Sequence, residues 1–444
     1  MTASPTLENL NNPMPDAEQM IGRGDIFAPG QIADHEFGVA YQGPWETLED
    51  GTCRAVRLHA RALANTGVPV LLRSYNHTRI VDGVARYVFD YGHDPNVLSE
   101  VGTLHRSSIA STCLFVRHLV VKSADHVLAA LYPRGVIGSD ESDTRKLYSM
   151  LAACTILYTV WERDCIPKDI ARVMSMAAQC WVPCQQNKQA LIASGVPKEK
   201  VFVVPHPYTT EEWQLAQEPS TSHKSSFYSI GAWQPRKGMH ELLGAFLLAF
   251  RADGDETLRL RTTEYQWDNY PSPRESIKQW LEDPAVRANG WTVATLKGKV
   301  EVFPRYLTQS ELHNFHRNNR IYVCASHGEA WCLPAFDAKL HGNLLVHVPW
   351  GGTADFAAQS DIRVPYSMEP VNIQHSWGDC QWAGYSILDL MAALRIATKT
   401  QSGCRLGSEY QEQCIGEYMK RLLMKVSSAI NTPEAQHAMF GGPT

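Results

Sequence analysis

No run of apolar residues in this sequence approaches the ~20 that a membrane-spanning helix needs, so nothing in it reads as a membrane span. Basic charge is not in excess either. Lys and Arg total 41 against 46 Asp and Glu, a net charge of −5, which argues against a broad basic face for nucleic acid. The opening residues are rich in Asn, Pro and Met and lack the basic and apolar regions of a signal peptide, so 1–25 reads as a disordered leader. No G-x-G-x-x-G occurs, and Cys180 and Cys184 have no matching His or Cys pair at zinc spacing. The eleven cysteines, an odd number, are scattered through apparent strands and helices. That is the usage of thiols as small apolar residues in a reducing compartment, and a cytoplasmic location is expected.

What is present is an alternation of short β-branched runs and amphipathic stretches, over a length that allows two or three domains. Strands are expected at Phe37–Tyr41, Val68–Leu72, Ile156–Thr159, Cys180–Pro183 and Val201–Val204 in the first half. In the second they are expected at Phe227–Ile230, Leu258–Thr262, Val300–Phe303, Ile321–Ala325 and Leu344–Val348. The spacing is that of βαβ repeats and of doubly wound α/β sheets, whose ligands sit at the carboxyl ends of the strands.

The most informative stretch runs from Ala325 to Asp355. A buried strand leads into a polar loop with Ser326 and Glu329, and then into a helix with Pro334 at its first position. A helix start offers backbone N–H groups and a positive dipole end, which suits a phosphate. Glu329 and Asp337 bracket this start with seven residues between them. Upstream, Gly231 opens the loop after a strand, and Arg236 and Lys237 precede an amphipathic helix carrying Leu242, Leu243, Phe246 and Phe250. Two cations there form a diphosphate clamp by mechanism.

These motifs resemble those of the retaining glycosyltransferases of family four, which have the GT-B fold. The family's signature is Glu, seven residues, Glu; the second Glu is Asp337 here. The resemblance implies that Glu329 binds donor-sugar hydroxyls and Asp337 the ribose of a nucleoside diphosphate sugar, with a UDP-sugar expected. The family's aromatic–Gly–Leu–Pro turn is Trp331-Cys332-Leu333-Pro334, and Cys in place of Gly predicts that no positive φ is needed there. Its Gly-Arg-Leu element has Gly231 but no Arg in the same place, while Lys237-Gly238 match its Lys-Gly. Arg236 then substitutes for the missing Arg from another point of the loop. The segment from Ile156 through Trp181-Val182-Pro183-Cys184 to Val204-Pro205-His206 is similar to the end of the family's N-terminal domain.

The resemblance implies two Rossmann-like domains facing a cleft, an acceptor domain over 26–210 and a donor domain over 227–405, and the Thr, Glu, Gln, Pro and Ser composition before residue 227 reads as a linker over 211–226. A C-terminal helix over 406–430 would cross back to the first domain, and 431–444 would be a disordered tail. Gly51 and Trp45 would line the cleft, and backbone near Val302 would meet the base. No cofactor beyond the nucleotide-sugar co-substrate is implied, and the chemistry is expected to be metal-independent. Asp253-Gly-Asp255 has a metal-binding form but the setting of a polar turn.

Other residues keep two readings. Glu162, at a strand's carboxyl end, is a catalytic or acceptor-binding acid, or the salt-bridge partner of Arg163 or a neighbouring Lys. Glu162, Asp164 or a His is the first suspect for a base if the reaction inverts. His105 and His118 are cleft histidines or simply packed. Arg54, Arg57 and Arg61 share a helical face and, with Arg73 and Arg79, form either a local nucleic-acid groove or a solvated surface. The leading function is glycosyl transfer to an acceptor that the sequence does not identify. A binding scaffold without catalysis and an enzyme glycosylating nucleic-acid bases are the alternatives.

Overall fold

The computed structural model describes residues 37–44, 51–73, 77–81, 84–88, 113–121, 123–131, 148–218, 225–263, 270–371, 380–400 and 403–432. Within them the chain forms two six-stranded sheets, parallel throughout. The first contains β1 (Gly38–Gln42), β2 (Val70–Arg73), β3 (Cys113–Leu119), β4 (Thr155–Thr159), β5 (Gln179–Val182) and β6 (Val201–Val203), in the order β2-β1-β3-β4-β5-β6. The second contains β7 (Ser226–Ile230), β8 (Thr257–Arg261), β9 (Val300–Phe303), β10 (Ile321–Cys324), β11 (Leu344–His347) and β12 (Ile362–Arg363), in the order β9-β8-β7-β10-β11-β12. Two antiparallel hairpins, His77–Val81 with Val84–Val88 and Ser367–Pro370 with Gln381–Gly384, are additional to the expected strands.

In each sheet the order reverses beside the first strand: between β1 and β3, and between β7 and β10. Such switch points leave a crevice at the strands' carboxyl ends, where open α/β sheets bind ligands. In the second sheet it lies between the loop after β7, with Arg236 and Lys237, and the loop after β10, with Ser326 and Glu329.

Eight helices matter for the site: α1 (Gly51–Ala64), α2 (Gln185–Ala193), α3 (Thr210–Ala216), α4 (Met239–Ala249), α5 (Gln309–Arg317), α6 (Leu333–Leu340), α7 (Ile387–Lys399) and α8 (Glu412–Ile430). The second sheet's core joins Phe227, Leu258 and Val323 to Leu242, Phe246 and Trp291, with Leu390 and Leu394 of α7 on the same side. The first sheet's core is completed from the far end of the chain. Ile415, Met419, Leu422, Leu423 and Val426 of α8 pack with Val56, Leu63, Val70 and Val116. At about 2 kcal/mol for each buried apolar side chain, that face contributes roughly 10 kcal/mol of gross burial energy.

Part of the expected linker is helical. Thr210–Ala216 is a helix, because Thr209 accepts from the Glu212 backbone N–H while Glu212 accepts from the Thr209 N–H. This reciprocal cap overrides the polar composition. Ser226 already belongs to β7, and 219–224 lie outside the described residues. The last helix begins at Glu412, after a 3₁₀ turn over Ser408–Tyr410. Among the described residues no helix is long and apolar enough to cross a membrane.

Candidate functional site

Four charged side chains from three loops meet at the crevice of the second sheet. Glu329, 5% exposed, accepts from Lys237 Nζ at 2.5 Å and from Ser326 Oγ at 2.6 Å, both on Oε1. Arg236 approaches Glu329 Oε2 at 3.4 Å and donates to the Gly328 carbonyl at 2.6 Å. Its other terminal nitrogen meets Glu162 Oε1 at 2.9 Å. Glu162 follows β4 of the first sheet, so Arg236 ties the two halves together, and neither Arg163 nor a Lys is needed as its partner.

Electrostatics follow from the geometry. Burial alone would raise the Glu329 pKa, but the charges of Lys237 and Arg236 and the hydrogen bonds from Lys237 and Ser326 outweigh it and hold it at about 2. Burial would lower the pKa values of both cations; Glu162 and Glu329 lift that of Arg236, and chiefly Glu329 that of Lys237, so both remain charged. Two cations and two carboxylates form the cluster, with Glu162 its most open member at 38% exposure.

Close backbone approach shapes the cluster at two glycines. A Cβ on Gly328 would lie 2.3 Å from the Glu162 carbonyl oxygen, so only glycine lets the β10 loop meet the β4 loop this closely. Gly238, at φ +63, faces the Ala325 carbonyl in the same way, and this fixes the turn that presents Lys237.

The turn at Cys332 departs from the expectation. Cys332 has φ 69 and ψ 71 and is the one non-glycine residue at positive φ among the described residues. The loop thus makes a left-handed turn without glycine, immediately before α6. Cys332 gives α6 no side-chain cap. Pro334 is at the second helical position, since α6 starts at Leu333.

Asp337 is not part of the Glu329 cluster. Its two oxygens accept from Arg54 of α1 at 2.5 and 2.8 Å, and Arg54 also meets Glu212 at 2.8 Å. Burial would raise the Asp337 pKa, yet the Arg54 charge and hydrogen bonds bring it below the usual carboxylate range. Arg54 and Asp337 line a cavity of 420 Å³ with Leu58, Leu312, His316 and His341. Its volume is in the range of small-molecule pockets.

Trp331 is 2% exposed and packs on Phe336, Phe356 and Tyr410, with its edge to His206, so it is core rather than donor contact. Gly51 opens α1 with Leu333 Cδ1 as the nearest atom to a Cβ placed there, at 3.6 Å, which puts α1 and α6 end to end. Val302, on β9, packs half-buried against the second sheet's core, and Gly231 donates to the Arg261 carbonyl at the end of β7. His118 is 1% exposed and stacks on Tyr158 at 4.4 Å, beside His59. Trp45 and His105 lie outside the described residues.

The arginines of α1 do not form a solvated stripe. Arg57 is buried, Arg54 pairs with Asp337 and Glu212, and Arg61 pairs with Glu211 and Glu412. The side chains of Arg73 and Arg79 lie outside the described residues. Asp253 pairs with exposed Arg251 on the turn before β8, at the end of the sheet opposite the crevice. Two groups of potential metal ligands come together among the described residues: Asp164 with Cys165 and Cys380, and Cys324 with Glu329 and Cys332. In the second, Lys237 already occupies the carboxylate, and its charge opposes a cation.

No protein-family model matches the chain, and no curated protein matches it in sequence. Solved structures do. The trehalose-6-phosphate structure from E. coli bound with UDP-2-fluoro glucose has a TM-score of 0.54 at 11% identity, over 88% of this chain and 99% of that one. The catalytic domain of starch synthase IV from Arabidopsis thaliana bound to ADP and acarbose has a TM-score of 0.49 at 9% identity, over 88% and 99%. A glycosyltransferase from Rickettsia africae ESF-5 has a TM-score of 0.48 at 12% identity, over 91% and 99%. With its two parallel sheets facing one another through Arg236 and Glu162, the chain has the GT-B fold of the glycosyltransferases.

Proposed function

We propose that the protein is a metal-independent glycosyltransferase of the family-four type, which transfers a sugar with retention from a nucleoside diphosphate donor, a UDP-sugar being expected. The observation that carries this reading is the convergence of Lys237 and Arg236 on Glu329 at the sheet's switch point. The two cations are placed to hold a diphosphate, neutralising the charge that grows on the leaving group, which a metal does in other designs. Glu329 is kept ionised and fixed by Lys237 and Ser326, as an acceptor of hydrogen bonds from sugar hydroxyls. The cavity beside Asp337 suits the nucleoside, with the carboxylate meeting the ribose once Arg54 gives way. The acceptor is assigned to the face of the first sheet. Its proton passes to the leaving phosphate, so no separate protein base is required. If the configuration inverts, Glu162 is the nearest base in the cluster. The thiol chemistry favours a cytoplasmic location.

A thermal-shift screen of wild type and Glu329→Ala against UDP, GDP and ADP and their sugar conjugates, with and without EDTA, tests the site. A ligand at ~100 times its dissociation constant adds about 2.7 kcal/mol. Stabilisation by one nucleotide series, unchanged by EDTA, with Glu329→Ala weakening the sugar conjugate more than the bare diphosphate, supports the reading; no stabilisation by any of them overturns it.

A second reading, binding without turnover, draws on the complete engagement of Asp337 by Arg54. Nucleotide binding with no release of diphosphate over long incubation with sugar and glycan acceptors favours it. The nucleic-acid reading is weaker, since the acids facing Arg54 and Arg61 offset their charge.

A further inference from the structure

We propose that Cys165 and Cys380 are a thiol–disulfide exchange site that cross-links the two halves of the protein, with a small disulfide such as glutathione disulfide as the oxidant. Cys165 follows β4 of the first sheet, three residues after Glu162; Cys380 leads into the hairpin strand Gln381–Gly384 of the second half. They are 215 residues apart in sequence, yet their sulfurs are 2.9 Å apart.

The contact is built rather than incidental. The Asp164 N–H donates to the Gln381 carbonyl at 3.0 Å, and the Gln381 N–H donates to Asp164 Oδ1 at 2.6 Å. The Cys380 thiol reaches the Cys165 carbonyl at 3.1 Å, and the Trp161 indole N–H fixes the same carbonyl at 2.6 Å. Val371, Cys380 and Trp382 form a small apolar cluster against Cys165 and Trp350. Two backbone segments from opposite halves are thus held in register beside the sulfur pair. Cys324 and Cys332 also lie close, at 3.7 Å, but both are buried within the second half and join nothing across the boundary.

Access sets the order of events. Cys165 is half-buried while Cys380 is 2% exposed, so Cys165 meets the oxidant first. Its thiolate attacks one sulfur of the glutathione disulfide, forming a mixed disulfide and releasing one glutathione thiolate. The Cys380 sulfur then attacks Cys165 Sγ, forming the internal disulfide and releasing the second glutathione. The protein loses two electrons and two protons, and one glutathione disulfide becomes two glutathione thiols.

The consequence is a covalent bond beside the Arg236–Glu162 contact, fixing the spacing of the halves at the crevice. The full chain is equilibrated with glutathione redox buffers, alkylated and mapped by mass spectrometry. The expected result is two alkylatable thiols fewer than the eleven of the reduced chain, with a cross-linked peptide pair containing Cys165 and Cys380. The thermal midpoint rises on oxidation, and the rise is lost in both Cys165→Ser and Cys380→Ser but kept in Cys404→Ser, a change at an exposed cysteine. Persistent glutathionylation of Cys165 without a cross-link, a cross-link confined to Cys324 and Cys332, or zinc whose removal by chelator unmasks Cys165 would each overturn the proposal. Should either serine variant fold poorly, wild type labelled at Cys165 by a small maleimide provides the same control.

Discussion

Lys237 holds the Glu329 carboxylate at 2.5 Å, the acid 5% exposed and the ammonium-bearing side chain only 17% exposed. A charge pair this well covered gains little from being present and loses much when halved, because the survivor is left unpaired in a poorly hydrated place. Glu329→Ala is therefore expected to destabilise the fold by about 3 kcal/mol in urea unfolding. Bound nucleoside diphosphate should restore part of the loss in this variant, since its phosphates supply the negative charge that the abandoned Lys237 and Arg236 lack. Equal destabilisation with and without nucleotide would contradict that role for the two cations.

Acid should weaken the fold from near neutrality downwards. Burial holds His59 at about 4 and His316 and His347 at about 3, so all three are neutral when folded. Unfolded, they take protons near pH 6.5, so between there and pH 4 the unfolded chain binds more protons and stability falls with pH. Each contributes a slope of up to about 1.4 kcal/mol per pH unit. Glu329, with its pKa depressed to about 2, adds a further loss as pH falls from ~4.5 towards 2. Unfolding free energies at pH 7, 6 and 5 measure the slope, and His347→Gln should make it shallower. An unchanged slope would mean that His347 is not buried neutral.

At Cys332 the backbone and the side chain disagree, and substitution can separate them. Cys332→Ala keeps a Cβ at φ 69 while losing the thiol; Cys332→Gly loses both. The glycine variant is expected to be the more stable of the two by about 1 kcal/mol, the reverse of the order in a helix interior. Differential scanning calorimetry of the pair decides, and alanine above glycine would place the turn outside the left-handed region.

Gly328→Ala should push the two halves apart. Its new Cβ would sit 2.3 Å from the Glu162 backbone, which cannot swing aside as a side chain can. The expected signs are a larger radius of gyration by small-angle scattering and at least a tenfold loss of any transfer activity, since Glu162 and Arg236 separate. An unchanged radius would show that local adjustment absorbs the methyl.

Much of this architecture is legible in sequence because it is local. Ten strands announce themselves as short β-branched runs, and Glu329, Arg236 and Lys237 are marked by their positions beside strand ends and helix starts. β3 hides because Arg117 and His118, both buried, interrupt its apolar run. The helix Thr210–Ala216 hides behind a polar composition whose Thr and Glu are caps. The pairings across the molecule are harder still. Arg54 looks like one of three equivalent arginines until Asp337, 283 residues away, selects it. Glu162 looks like a partner for Arg163 until the fold brings Arg236 to it. Sequence pattern identifies which residues stand at the carboxyl ends of strands, but not which ends face each other.

The final helix has a consequence for how the chain is made. Ile415, Met419, Leu422, Leu423 and Val426 complete a core whose other members lie between Phe37 and Val204. During synthesis the first half leaves the ribosome with that apolar surface uncovered, and the whole second half must be translated before its cover exists. The second half can close first: one side of its sheet packs within residues 227–397, and the other adds Cys184, Tyr208, Ala216 and Leu406, all made before the final helix. The usual order of vectorial folding, amino-terminal domain before carboxyl-terminal, is thereby inverted for the last step. That face of the earlier-made domain stays uncovered until the last turns of helix emerge.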